Sequence, residues 1–419
     1  MEFLYSKFLQ SEGVSIDSRS LEEGMVFFAL RGPNFDGSKF IGEALRKGAS
    51  FVVTEDQRQK SDDQLMVVED SLTTLQNLSI FHRERFKRPV IGITGSNGKT
   101  TTKELIARVL SRKFIVHATQ GNLNNHIGVP LTLLQINPQT EIAVVEMGAS
   151  KVGDIAELCA FAQPTHGLIT NIGHAHTETF GGIDGVLRGK TELFDFLIKA
   201  RGTAFINTLD ERLRNTSRRF QQKNSYPSEQ LDFSGADPFI RYSYKGKKQT
   251  ASLIGPHNFP NLAAAIAVGD YFGVPEGEML QAINSYQPDN LRSQIIETGD
   301  KKIILDAYNA NPDSMKAALQ MLSNFPGKKA AILGDMLELE NPEDAHRSLG
   351  LWLKDQNIDK LIFYGPLMAH AAKEVPNGRS ISSESALAST LSQMSFQDFT
   401  ILIKGSRSMR LEKVRDIIT

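Results

Sequence analysis

Between the short apolar run Val90–Ile93 and the helical pattern Lys103–Leu110 stands Gly95-Ser96-Asn97-Gly98-Lys99-Thr100-Thr101. A strand, a glycine turn and a helix start in that order aim free backbone N–H groups and the positive end of a helix dipole at one point. Gly95 and Gly98 can take positive φ, which lets the backbone approach an anion closely. Lys99 adds a mobile cation and Thr100 a hydroxyl able to ligate Mg²⁺. The spacing is not that of the common P-loop, which would need glycine where Ile93 stands. A glycine-rich turn with a surface lysine is the plain alternative. The coincidence of strand, both glycines, Lys-Thr and helix predicts a nucleotide phosphate site.

Other chemically capable residues fall where apolar runs end. Glu146 closes the run Ile142–Glu146 and is soon followed by Gly148. A carboxylate beside a phosphate loop suits Mg²⁺, which favours carboxylate, phosphate and water oxygens; a solvent-facing strand-end carboxylate is the alternative. His174, His176 and Glu178 follow another run, but without a helical H-E-x-x-H or a nearby cysteine a zinc site is disfavoured. Lys190, within a helical stretch, reads on its own as a surface lysine. Asn258 and Asn261 precede an alanine-rich helix and could read a base edge or merely cap that helix. Asp306, Asn309, Lys404 and Arg407 stand at run ends late in the chain, where a second ligand would meet the phosphates.

The elements that must position these residues fall into three blocks. A chain of 419 residues is too long for one ordinary core. Residues 1–88 read as a small α/β unit, with runs Met25–Leu30, Phe51–Thr54 and Leu65–Val68, a helical stretch Ser38–Lys47, and a basic linker His82–Arg88. Residues 89–290 alternate apolar runs with helical patterns, which indicates a parallel sheet covered on both faces. Its runs are Val90–Thr94, Phe114–Ala118, Ile142–Glu146, Gly167–Asn171 and Thr203–Asn207, before a hairpin-like Arg241–Leu253 and a buried helix over 257–273. Residues 291–419, with runs Lys302–Ala307, Ala330–Leu333, Leu361–Tyr364 and Phe399–Ile403, predict a second parallel, Rossmann-like sheet. A cleft between two such sheets is where ligands tend to sit.

Composition bounds the partners. The formal net charge of −1 argues against broad attraction to nucleic acid or to anionic membrane. Cys159 is the only cysteine, so no intrachain disulfide can form and a reducing compartment fits. The start MEFLYSKFLQ is no signal peptide, and no apolar run has membrane length. A cytoplasmic protein without membrane insertion is expected.

Taken together, the motifs Thr94–Thr101, Glu146–Ala149, Asn171–Gly181, Arg188–Phe194, His257–Asn261 and Asp306–Met315 resemble those of the Mur ligases. The resemblance covers nearly the whole chain, and Asp17–Phe40 is similar to the UDP-binding domain of that family. It is strongest to the branch that adds D-alanyl-D-alanine, since the D-N-P-R tetrapeptide of the branches adding diaminopimelate or lysine is absent. Folylpolyglutamate synthases share the phosphate loop but have no use for a UDP-binding first domain. A switch or transport ATPase would expect aspartate where Glu146 stands.

The resemblance implies an α/β protein of three domains: a UDP-substrate-binding domain over 1–88, a central P-loop ATPase-like domain over 89–290, and a Rossmann-like domain over 291–419 that takes the incoming dipeptide. It implies ATP-dependent amide formation through an acyl phosphate, in peptidoglycan precursor synthesis, by a monomer whose domains close about a hinge near Tyr286–Arg292. Gly95, Ser96, Asn97, Gly98, Lys99, Thr100 and Thr101 would hold the ATP phosphates. Asn258 would meet adenine, while Arg292 and Asp306 would meet the rest of ATP. Thr100 and Glu146 would hold one Mg²⁺, and His176 with a carbamylated Lys190 a second. Ser18 and Asn34 would contact the uridine nucleotide of a UDP-N-acetylmuramoyl tripeptide, and Ser150 its peptide. Gly189, just before Lys190, is a departure expected to loosen the helix by up to about 1 kcal/mol relative to alanine.

Overall fold

The computed structural model describes residues 1–376 and 378–418. Four parallel strands form the first sheet: β1 (Val14–Ser15), β2 (Val26–Ala29), β3 (Phe51–Thr54) and β4 (Leu65–Val67). β2 and β3 are buried along their whole length, as apolar runs covered on both faces should be. The expected helix Ser38–Lys47 divides into a 3₁₀ turn, Gly37–Phe40, and a helix, Ile41–Arg46. The Asp36 carboxylate causes the tighter start by accepting from the Ser38 N–H and hydroxyl.

The basic stretch is not a solvated linker. Helix α1 (Ser71–Arg83) runs into it, and Arg83 is buried. Its guanidinium donates to the carbonyls of Ala162, Gln163 and Phe86 at 2.6 Å each. Two of those carbonyls end a helix of the next sheet, so the side chain clasps the two units together.

The central sheet has six parallel strands: β5 (Val90–Thr94), β6 (Val116–Ala118), β7 (Ile142–Glu146), β8 (His166–Ile169), β9 (Thr203–Asn207) and β10 (Lys223–Tyr226), in the order β10-β9-β8-β5-β7-β6. Alternate residues of β5 enter opposite cores. Ile91 and Ile93 pack with Leu105 and Ile106 of α2 (Lys99–Leu110) and with Leu262 and Ile266 of a later helix, while Val90 packs with α3 (Asp154–Ala162) and α4 (Ile183–Ala200). Parallel direction brings the C-terminal ends of β5, β7 and β8 to one edge, so Gly95, Glu146 and Asn171 face the same space. An antiparallel three-stranded sheet over Leu231–Ile254 follows, then the buried helix α5 (Phe259–Tyr271).

The last sheet runs β11 (Gln294–Thr298), β12 (Lys301–Asp306), β13 (Lys328–Gly334), β14 (Lys360–Tyr364), β15 (Arg379–Ile381) and β16 (Phe399–Lys404), in the order β11-β12-β16-β13-β14-β15. It is not wholly parallel, because β11 pairs antiparallel with β12. Only Gly299 (φ 57°) and Asp300 join them, and so short a connection can only return the chain antiparallel. The chain enters this unit through Leu291 and Ser293, both with left-handed backbone, at φ 61° and 51°. Just before them, the Tyr286 hydroxyl and the Asn290 amide both donate to the Glu104 carboxylate on α2. No helix among the described residues is long and apolar enough to cross a membrane.

Candidate active site

The phosphate-loop geometry is present. Gly95 and Gly98 hold φ of 143° and 77°, and α2 starts at Lys99. A Cβ at Gly98 would lie 2.5 Å from Asn261 Oδ1, and one at Gly95 2.0 Å from Thr170 Oγ1, so both must be glycine. The loop is tied to the end of β8: Ser96 N donates to the Asn171 carbonyl and Asn97 N to Asn171 Oδ1, each at 3.0 Å. Behind it, Thr102 Oγ1 donates to Asn261 Oδ1, Asn261 Nδ2 to Asn258 Oδ1, and Asn258 Nδ2 to the Ile254 carbonyl, at 2.8–3.1 Å. Asn258 therefore reaches the cleft with much of its carboxamide already committed to this relay.

Lys99 Nζ donates to the carbonyls of Gly95 (2.7 Å) and Ser96 (3.1 Å). Burial in the loop lowers its pKa to about 8; Glu146 opposes that shift and Arg292 adds to it.

Glu146 is 1% exposed. Its Oε1 accepts from Asn124 Nδ2 at 2.8 Å, while its buried Oε2 has no partner. An orphaned carboxylate oxygen beside a phosphate loop is what a hard cation would satisfy. Among the described residues no three His, Cys, Asp or Glu side chains form a ready metal cage. A divalent ion at Glu146 would thus complete its shell from hydroxyl, phosphate, water or modified side-chain oxygens.

Lys190 is no surface residue. It is 1% exposed, donates to the Ala149 carbonyl at 3.1 Å, and lies 5.1 Å from the centre of the Phe180 ring. Burial first, and Lys99 second, push its amine well below the usual lysine range. Gly189 does not break α4; a Cβ there would fall 2.4 Å from Phe180 Cε1, so the glycine seats that ring.

The C-terminal unit supplies the opposite wall. Asp306 pairs with the buried Lys404 at 2.6 Å and accepts from Ser293 N at 3.0 Å, while the Arg292 guanidinium stacks 3.7 Å above the Tyr308 ring. Three contacts bind this wall to the loop side. Asn311 Nδ2 donates to Asn97 Oδ1 at 2.7 Å, Asp313 accepts from His174 N at 2.7 Å, and His176 Nδ1 meets Glu338 Oε2 at 2.8 Å. The His176 contact holds the Glu338 carboxyl below its usual range.

A cleft of about 1030 Å³ results, lined by Ser96–Lys99, Thr101, Glu146, Ser150, His176, Asn258, Arg292 and Asp306. Thr100 and Lys190 are buried and are not among the lining residues. Ser18 and Asn34 are also outside that lining: Ser18 is buried with its carbonyl accepting from Lys47, and Asn34 is exposed in the turn between Arg31–Gly32 and Phe35–Asp36. Sequence reasoning missed Asn124 and Glu338. The asparagine cluster Asn122–Asn125 after β6 was a readable signal for the first; Glu338 had none, since its role depends on a contact between domains.

Residues 93–269 match the Mur ligase middle domain, 291–407 the Mur ligase glutamate ligase domain, and 10–87 the Mur ligase family catalytic domain. The chain belongs to the Mur ligase family. It is 36% identical to the UDP-N-acetylmuramoyl-tripeptide–D-alanyl-D-alanine ligase of Bacillus subtilis, over 97% of this chain and 93% of that one. With the ligase of the same name from Synechocystis sp. it shares 38% identity, over 85% and 80% respectively. Among Mur ligase crystal structures, MurF from Acinetobacter baumannii superposes with a TM-score of 0.87 at 28% identity, covering 97% of this chain and 93% of that one. MurF from Thermotoga maritima in complex with ADP gives 0.82 at 30% identity, covering 98% and 97%.

Proposed function

We propose that this Mur ligase joins D-alanyl-D-alanine to a UDP-N-acetylmuramoyl tripeptide, converting ATP to ADP and phosphate, in peptidoglycan precursor synthesis. The observation that carries the reading is the phosphate loop and the orphaned Glu146 oxygen facing one cleft with the Asp306–Lys404 wall. Relatives named for this reaction, aligned over nearly the whole chain, support it.

A carboxylate and an amine do not condense in neutral water. Transfer of the γ-phosphoryl group to the tripeptide carboxylate makes an acyl phosphate, which the dipeptide amine then displaces. Lys99 and the loop N–H groups bind the β- and γ-phosphates and offset the charge that spreads over their oxygens. Asn258 lies against adenine, and Arg292 and Asp306 hold the remainder of ATP. Thr100 with Glu146, and His176 with Lys190, are the residues that would hold two Mg²⁺ ions. Bound there, the ions would supply positive charge to the phosphate and carboxylate oxygens.

Lys190 enters this set as a carbamate. Its buried amine favours the neutral form, which can add CO₂; the new N–C bond and the lost proton turn a cation into a carboxylate-like anion. Lys190→Ala should abolish ligation, and added acetate should restore part of it. Full activity of this variant in CO₂-depleted buffer removes the carbamate.

Residues 1–88 bind the UDP moiety through Ser18 and Asn34, residues 89–290 bind ATP, and residues 291–419 receive the dipeptide; Ser150 contacts the muramoyl peptide. We assign the enzyme to the cytoplasm as a monomer that closes about the hinge near Tyr286–Arg292, which small-angle scattering with and without ligands would test. The deciding experiment offers a panel of UDP-muramoyl tripeptides and scores phosphate release and product mass. Phosphate should appear only when tripeptide and D-alanyl-D-alanine are both present. ATP turnover without amide product would overturn the proposal.

A further inference from the structure

His176 and Glu338 face each other across the boundary between the central and C-terminal units. Neither backbone is relaxed there: φ is 57° at His176 and 60° at Glu338, a left-handed region disfavoured for residues with a Cβ. Such conformations persist only where the surroundings over-determine them. Here they do. The stretch leading into Glu338 is pinned, with Asp335 accepting from Met368 N at 2.7 Å, Met336 N donating to His346 Nε2 at 3.0 Å, and Leu337 N donating to Ser406 Oγ at 3.0 Å. On the other side, His176 starts the short helix Thr177–Phe180, whose Phe180 ring seats against Gly189 beside Lys190. Both backbones are thus held where the half-exposed Glu338 side chain meets the more buried imidazole.

A neutral imidazole carries its proton on one nitrogen, and the hydrogen bond made by one nitrogen decides which lone pair a metal can use. Glu338 Oε2 at 2.8 Å from Nδ1 calls for N–H there and leaves the Nε2 lone pair for coordination. We infer that Glu338 is a positioning residue that fixes His176 as the Nδ1–H tautomer, so that docking of the C-terminal unit completes a metal site of the central one. This rests on the proposed role of His176 as a metal ligand. By linkage, a metal on His176 then favours the docked arrangement to the same degree that docking favours the metal.

The test uses the full chain labelled with ¹⁵N-histidine, reading the His176 tautomer by long-range ¹H–¹⁵N correlation, together with Mn²⁺ affinity by electron paramagnetic resonance in the presence of ADP. Wild type should show Nδ1–H. Glu338→Ala should show mixed tautomers and bind Mn²⁺ on the order of 10- to 100-fold more weakly. Glu338→Gln, whose carboxamide oxygen can still accept from Nδ1–H and whose backbone carries the same strain, should recover most of both. An unchanged tautomer and affinity in Glu338→Ala overturns the inference. So does tighter Mn²⁺ binding, since Glu338 would then be a competitor of the metal. A wild type whose tautomer and Mn²⁺ affinity depend on Glu338 as expected, but which forms no amide product, upholds the inference and removes the proposed reaction.

Discussion

The glycine loop of the cleft is made of neighbouring residues, and the wall facing it of residues gathered from far apart. The glycine loop of the central wall, Ser96–Lys99 with Thr101, lies within a single turn of chain, and what it presents is mostly backbone: left-handed glycine, N–H groups and a helix start. The C-terminal wall joins Asp306 to Lys404, 98 positions away, and brings Asn311 from a further loop. There the charges satisfy one another before any ligand arrives. The difference teaches where each wall is vulnerable: the first through the one side chain that supplies charge, the second through any change that strands a partner.

The largest expected effect tests the first wall. Lys99→Ala should lower ligation by roughly 10³-fold or more, because phosphate charge goes uncompensated in the transition state. The melting temperature should move by no more than about 2 °C, since the side chain holds only loop carbonyls. Near-normal product formation would dissolve the contrast. On the opposite wall, Asp306→Ala leaves Lys404, 2% exposed, without its carboxylate. Urea unfolding should report a loss of about 3 kcal/mol, much of it recovered when Lys404→Met is added. A stability equal to wild type would mean that this wall does not depend on the pair.

Asn311→Ala separates docking from stability. The side chain caps the helix Pro312–Ser323 in a capping box and also reaches Asn97. Loss of the cap should cost about 1 kcal/mol in unfolding, and loss of the contact should expand the unliganded protein in scattering. No change in either would show the bridge to be incidental. The smallest effect is a proton count. Lys99 titrates at about 8, so near pH 8 half of the free protein lacks its charge. ATP favours the charged form and raises that pKa, so binding should take up about half a proton at pH 8, where the ATP phosphates are already ionised. Calorimetry in buffers of different ionisation enthalpy reads this directly, and proton release at pH 8 would contradict it.

The same contrast governed what the sequence disclosed. β5, β7 and β9 coincide with their apolar runs because strands buried on both faces need continuous apolar residues. The strand, glycine turn and helix start at Gly95–Lys99 were legible because all their parts are adjacent. Arg83 was not, since a basic run looks the same whether its arginine meets water or three carbonyls. Nor is the burial of Lys190 readable from its neighbours: Gly189 makes room for the Phe180 ring, a contact from another helix that the local sequence does not encode. β11 escaped because its residues are only half-buried at a sheet edge. The contacts of His174 and His176 belong to neither unit alone, and no spacing within one block encodes them.

Glu104 stands a little over one turn beyond Lys99 on α2 and receives Tyr286 and Asn290 where the chain leaves for the last sheet. That helix is therefore the datum from which the cleft is surveyed: it carries the glycine loop at its start and the benchmark for the opposite wall on its flank. The first sheet is referenced elsewhere, through α1 against α3 and through Leu131 and Leu134. It also meets the cleft rim, where Gln76 donates to the His126 carbonyl, but takes no part in the Glu104 contacts that set the gauge. A chimaera that exchanges the first sheet with that of a relative should keep the two walls at their present separation, whereas a graft cut between Tyr286 and Asn290 would discard the benchmark.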